Sequence, residues 1–367
     1  MLDVIEKYKL STPFLLLNTG RVLNNINEFK TKAEQNNLVF RPHFKTHRSV
    51  DVGKLFLNEG IDKITVSSVR MATYFASFGW KDILIAFPVN FPEMKEINKL
   101  ASELQLSLLV DNSLSAQYLV NQLSAKVDVY VKINTGYNRA GIHFQDDEEL
   151  KKTIEILLNN KNIRSVSLLT HNGETYVCDG RNCINSIHKK SVDKIVAVKK
   201  MLLNHYGLDF AVSIGDTPGC RVSSYFDGVD EIRPGNFVFY DWMQYRFSIC
   251  SLKEISLKLI APVVSVQKNP SRILLYAGAV HLGKDYVEYE GNKEFGAVKL
   301  SGTYFPINRL SQEHAIVEVP KEILCVVSPG DRVEIIPAHS CLSADMYKKY
   351  YSTDGKVFQA MEKHFGE

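Results

Sequence analysis

The chain lacks any uninterrupted apolar run long enough to cross a bilayer. Its opening residues, MLDVIEKYKLSTP, also mix in charges where a secretory signal would carry an apolar core. This predicts no membrane association and a cytoplasmic location. Charge of one sign is missing too: 44 basic residues against 41 acidic ones leave a net charge of +3, and no basic run stands out. Nucleic acid is therefore not expected as a partner. Cysteine is sparse, six in 367 residues (Cys178, Cys183, Cys220, Cys250, Cys325 and Cys341), with no CxxC pair. Such scatter in a chain of this size predicts reduced thiols rather than a disulfide framework. Internal repeats and low-complexity linkers are absent as well. What remains is an ordinary globular composition with 45% hydrophobic residues, long enough for one large domain and a smaller one.

Short apolar runs alternate with longer amphipathic ones. The strand candidates are LVFRPHF (38–44), KITVSS (63–68), DILIAF (82–87), LSLLVD (106–111), VDVYVKI (127–133), VSLLT (166–170), FAVSIG (210–215) and EIRPGNFVFY (231–240). Helix-like stretches lie between them, such as RSVDVGKLFLNEG, whose Gly60 is a plausible stop. About eight strands alternating with helices predict an α/β fold, a (β/α)8 TIM-type barrel with parallel strands. After Tyr240 the rhythm changes to ISLKLIAPVVSVQ, RILLYAG, HAIVEV and RVEIIPAHS, strand-like runs without long helices between them. The expected domains are a barrel over residues 19–245 and a second, mostly β C-terminal domain over 246–367, joined by the early strand within 1–18.

In this frame FRPHFKTH puts Lys45 at the C-terminal end of the first barrel strand, the face where barrel enzymes keep their active sites. Flanked by His43 and His47, such an amine suits a Schiff base, since nearby polar and cationic groups tune its pKa. The ordinary alternative is a solvated lysine in a loop. SIGDTP sets Gly215, Asp216 and Thr217 after the seventh strand, and RPGN makes a tight turn at Gly235 and Asn236 in the eighth. Backbone NH groups there, with a threonine hydroxyl, make a phosphate cradle of the kind barrels hold after their last strands. In PAHSC, His339 and Cys341 on an extended segment would face the same way, a soft pair suited to zinc, although a buried cysteine beside a surface histidine is the plainer account.

The series STPFLLLN, RPHFKTH, VKINTGYNRAGI, THNGETY, IGDTP, EIRPGNFVFYD, SQEHA and PAHSC resembles, in order and almost end to end, the D-serine dehydratase and D-threonine aldolase family. These are fold-type III pyridoxal 5'-phosphate enzymes related to alanine racemase. The resemblance implies that Lys45 carries the cofactor and that Arg139 or Arg233 faces its pyridine nitrogen. It implies further that His171 and Tyr176 pack on the ring, while Gly215, Thr217, Gly235, Asn236 and the Tyr240 phenol serve the phosphate. In the dehydratase branch a His and Cys pair holds Zn2+, so His339 and Cys341 imply zinc, with another divalent metal as the alternative. The implied activity is dehydration of a D-β-hydroxy amino acid, D-serine to pyruvate and ammonia, by a homodimer. Retro-aldol cleavage and racemisation are the alternatives. Arg48 and Glu174 depart from the family pattern and bear on substrate preference.

Overall fold

Parallel pairing of short, fully buried strands produces the barrel. The computed structural model describes residues 2–362. The barrel strands, in chain order, are Val39–Phe40, Lys63–Val66, Asp82–Pro88, Gln105–Val110, Val127–Asn134, Ile163–Leu169, Val212–Ile214 and Glu231–Ile232. From the second strand to the eighth each pairs in parallel with the next, and the eighth pairs with the first. A single parallel bridge between His43 and Thr65 joins the first strand's continuation to the second and nearly closes the ring. The first and eighth strands are shorter than their apolar runs suggest. Pro42 and Pro234 follow them within two residues, and proline has no NH to give a ladder.

Inside the barrel, Leu84, Leu109, Tyr130 and Leu169 pack into one buried cluster. Each fully buried aliphatic side chain contributes about 1.5–3 kcal/mol. Beside this apolar layer lies a charged one. Arg41 donates to Asp82 Oδ1 at 2.5 Å and to Glu231 Oε2 at 2.6 Å, and the Ser213 hydroxyl donates to Glu231 Oε1 at 2.6 Å. Burial works against the charge on Arg41, but Glu231 and Asp82 outweigh it and raise the guanidinium pKa.

The chain divides into two compact units. One comprises Asn27–Lys45 and Phe56–Gly235, and the other comprises the chain up to Ile26, Thr46–Leu55, and everything from Asn236 onward. The sequence drew its boundary at residue 245, whereas this division falls at Gly235. The eighth strand is only two residues long, so the turn Asn236–Val238 already belongs with the later chain.

The second unit is built on a mainly antiparallel sheet. Its long strand Leu257–Lys268 pairs antiparallel with Arg332–Pro337 and with Phe14–Leu17. Phe14–Leu17 pairs in parallel with Lys349–Ser352, so the early strand lies inside this sheet.

Cysteine usage departs from expectation, because Cys178 and Cys183 form a disulfide. The turn Gly173–Val177 passes into the helix Arg181–Tyr206 through Gly180, whose φ of 83° bends the chain back. The two Cα atoms come within 5.6 Å, inside the range a disulfide spans. The local turn, which spacing does not reveal, makes the pair. Cys220, Cys250, Cys325 and Cys341 lie outside this disulfide. Among the described residues no helix is long and apolar enough to cross a membrane.

Candidate active site

Lys45 ends the first barrel stretch with its side chain exposed. The groups around it are cationic or forced neutral. His43 lies well below the usual imidazole range because burial disfavours its charge and Lys45, Arg233 and His171 add to the effect. His171, after the sixth strand, is held low by burial first and then by Lys132, Lys45 and Arg139. Its Nδ1–H meets the Gly215 carbonyl in a short hydrogen bond, which leaves Nε2 as an acceptor. Lys132 is buried in the fifth strand, and burial followed by Arg233, Arg139 and Lys45 pushes its pKa well down. A site this rich in positive charge suits a polyanionic ligand.

The predicted phosphate loop gathers donors beside it. Thr217 NH donates to Tyr176 Oη at 3.1 Å, and Gly235 NH donates to Thr217 Oγ1 at 3.3 Å. Asp216 caps the helix Thr217–Val222 by accepting from Gly219 NH at 2.5 Å, and burial raises its carboxyl to about 6. Arg233 is buried, with Nε on Ser213 Oγ at 2.6 Å and Nη2 on the Thr170 carbonyl at 2.7 Å. Its partners are therefore strand ends rather than an ion pair with Glu231. A Cβ on Gly215 would stand 3.0 Å from Arg233 Cβ and 3.1 Å from its carbonyl oxygen, so glycine is what lets the two loops meet. Lysine amine, hydroxyl, phenol and two backbone NH groups fit a pyridoxal phosphate by the chemistry of its donors.

Arg139 is exposed, with its guanidinium 5.2 Å above the ring of Tyr137. Tyr137 in turn meets His171 edge-on at 6.0 Å, and His171 faces Tyr176 at 6.3 Å. Lys45, Arg139, His171, Tyr176, Gly215, Thr217, Arg233 and Gly235 thus all belong to the barrel unit, whereas Asn236 and Tyr240 belong to the other. Tyr240 is fully buried with φ 49°, and the Asn236 amide turns to Asp241 Oδ2 at 2.7 Å and to Cys341 Sγ at 3.5 Å.

That second unit holds the other cluster. The expected extended conformation of PAHSC is corrected: the strand stops at Pro337, His339 caps a helix, and Cys341 lies in the first turn of Ser340–Asp345. The imidazole and thiol still act on each other electrostatically across the helix start. Burial opposes charge on His339, but Cys341 and Asp285 prevail and raise its pKa well above the usual range. The same pairing overcomes burial at Cys341 and lowers its thiol. Cys341 Sγ also lies 3.4 Å from Oγ1 of Thr46, the residue after Lys45 in the chain. Among the described residues no group of three or more His, Cys, Asp and Glu is arranged to hold a metal. His339 and Cys341 are the nitrogen and sulfur donors that a metal here would meet. Sequence reasoning missed Lys132 and Asp285. Lys132 was visible in VKINTGYNRAGI, whereas nothing in GKDYVEY marks Asp285.

Residues 17–241 match the family described as Alanine racemase, N-terminal domain, and residues 256–353 match the Putative serine dehydratase domain. The D-serine dehydratase of Dictyostelium discoideum is 29% identical over 97% of this chain and 98% of its own length. The D-threo-3-hydroxyaspartate dehydratase of Delftia sp. (strain HT23) is 27% identical over 97% of this chain and 98% of its own. Its solved structure superposes with a TM-score of 0.89 at 25% identity, covering 97% of this chain and 98% of that one. The D-threonine aldolase of Arthrobacter sp is 26% identical over 85% of this chain and 81% of its own. Because the first family match runs through more than half of its length, with the second immediately after it, the chain belongs to the alanine racemase N-terminal domain family, among the fold-type III pyridoxal-phosphate dehydratases and aldolases.

Proposed function

We propose that the protein is a pyridoxal-phosphate- and zinc-dependent lyase that converts D-serine, or a closely related D-β-hydroxy amino acid, to a 2-oxo acid and ammonia. The observation that carries this reading is the His339 and Cys341 pair, a nitrogen and sulfur donor set suited to zinc in which each shifts the other's titration, with Asp285 Oδ2 2.7 Å from His339 Nδ1. A cysteine-to-alanine variant of a D-threo-3-hydroxyaspartate dehydratase of the same fold is described in the metal-free form.

When bound, pyridoxal phosphate supplies an electron sink for charge at Cα, and zinc supplies a Lewis acid for the β-hydroxyl. The chain's own residues do the rest. Lys45, freed as an amine when substrate takes its place, accepts the Cα proton on the one face it reaches, which selects one enantiomer. Arg233 or Arg139, each keeping its guanidinium proton, would face the pyridine nitrogen and leave it unprotonated. His171 stays neutral and offers Nε2 as an acceptor. Thr217, Gly235 and Tyr176 would hold the phosphate and so orient the ring. The Cα–H and Cβ–O bonds break, and water then releases ammonia from the product, so D-serine gives pyruvate and ammonia in balance. The second reading is retro-aldol cleavage, favoured by the kinship with D-threonine aldolase. Cys341 speaks for the dehydratase, since the harder ions of the aldolase branch prefer carboxylate to thiolate.

The test is a product assay on D-serine, D-threonine and D-threo-3-hydroxyaspartate, with and without a chelator. Pyruvate from D-serine that disappears on chelation and returns with zinc is the expected result. Glycine and an aldehyde would replace this reading with the aldolase. Inversion without consumption would replace it with a racemase.

A further inference from the structure

Asp285 lies in the loop between the short helix Ala279–Leu282 and the strand Val287–Tyr289. Two contacts bind this loop to the helix that carries Cys341. Ser343 Oγ donates to the Leu282 carbonyl at 2.8 Å. Gly283 lies so near Leu342 that a Cβ built on it would stand 3.3 Å from Leu342 Cβ, and its φ of 82° is one that L side chains avoid. The loop is thereby delivered to His339, whose Nδ1 donates to Asp285 Oδ2 at 2.7 Å.

An imidazole that donates from Nδ1 keeps its lone pair on Nε2. With Nδ1 taken by Asp285, Nε2 is the nitrogen left for Cys341 and for a metal. We propose that Asp285 is the positioning residue of the metal site: its carboxylate fixes the tautomer and ring orientation of His339 and makes Nε2 a better donor. This rests on the metal-dependent reading above. Without the carboxylate the ring can turn about its bond to Cβ, and the proton can settle on the nitrogen the metal needs. The aspartate binds no metal itself.

The experiment measures zinc affinity by competition with a chromogenic chelator on metal-stripped, cofactor-loaded protein. Wild type, Asp285→Asn, Asp285→Glu and Cys341→Ala are compared, with cobalt(II) absorption in the thiolate region as a second readout. Asp285→Asn should bind zinc about 10- to 100-fold more weakly. Its cobalt–thiolate band should keep its position but fill only at higher cobalt, and Asp285→Glu should recover much of the affinity. Cofactor absorbance and the melting temperature of the metal-free protein should not move. Unchanged zinc affinity in Asp285→Asn overturns the assignment, as does a loss of affinity that merely tracks a lowered melting temperature. If wild type and Cys341→Ala bind zinc equally poorly, the metal reading itself fails and takes this inference with it.

Discussion

Lys45 and Glu231 differ in what their loss removes. The Lys45 side chain is exposed, so Lys45→Ala should leave the barrel's stability intact. On the proposed mechanism it should lower pyruvate formation from D-serine by roughly 10²–10⁴-fold, the usual contribution of a positioned proton acceptor. Stopped assays at matched cofactor loading check both halves of this statement. Glu231→Gln should do the opposite of a surgical change. It takes from Arg41 one of two buried carboxylate partners; Asp82 still pairs with the guanidinium, so the cost should fall short of the roughly 3–5 kcal/mol of a buried charge left alone. Urea denaturation should show that loss as a lower midpoint. The proposal for Lys45 came from the sequence through its motif FRPHFKTH and the ordered series of motifs around it, since its place just past a strand end fits a solvated loop lysine equally well. The Arg41 and Glu231 pair was not legible there, since its members stand 190 positions apart and meet only when the eighth strand joins the first.

At the scale of elements, the short helix Thr217–Val222 couples the phosphate loop to pH. Its cap, Asp216, is buried and titrates at about 6 when folded, against about 3.9 when unfolded. The folded state holds the proton more tightly, so this group's stabilising contribution is full below the unfolded value and falls as the pH rises through about 6. The stability of wild type relative to Asp216→Asn should therefore fall between about pH 4 and pH 6, by an amount on the order of 3 kcal/mol. Denaturant titrations at a series of acidic pH values check the sign. The disulfide makes a second prediction at this scale. Cys178→Ser opens a loop of only a few residues, so it should cost about 2 kcal/mol, and thiol counting should find both partners blocked until reductant is added. SIGDTP was readable as a turn, whereas its Asp216 cap was not read although Asp and Pro at such positions start helices. PAHSC misled because a helix of only six residues, Ser340–Asp345, is too short to show a period.

For the whole molecule, the strand Phe14–Leu17 is the informative test. It lies between Leu257–Lys268 and Lys349–Ser352, so deleting residues 1–18 would strip an interior strand and uncover both neighbours. Unpaired edges of that kind aggregate. The truncated chain should be recovered mainly as insoluble protein, whereas a substitution confined to exposed Lys7 or Lys9 should leave expression unchanged. Soluble yield and circular dichroism check this.

By itself the sequence determined the barrel, the change to a β-rich second unit, and the order of the residues that resemble a cofactor site. All of these are written in local periods, turn residues and short motifs. Only the tertiary structure decided that Asp285 meets His339, that Asn236 turns to Cys341, and that Arg233 bonds to Ser213 and Thr170 rather than to a carboxylate. These contacts join loops from distant parts of the chain. A loop's direction is set by what it packs against, which no neighbouring residue in the sequence encodes.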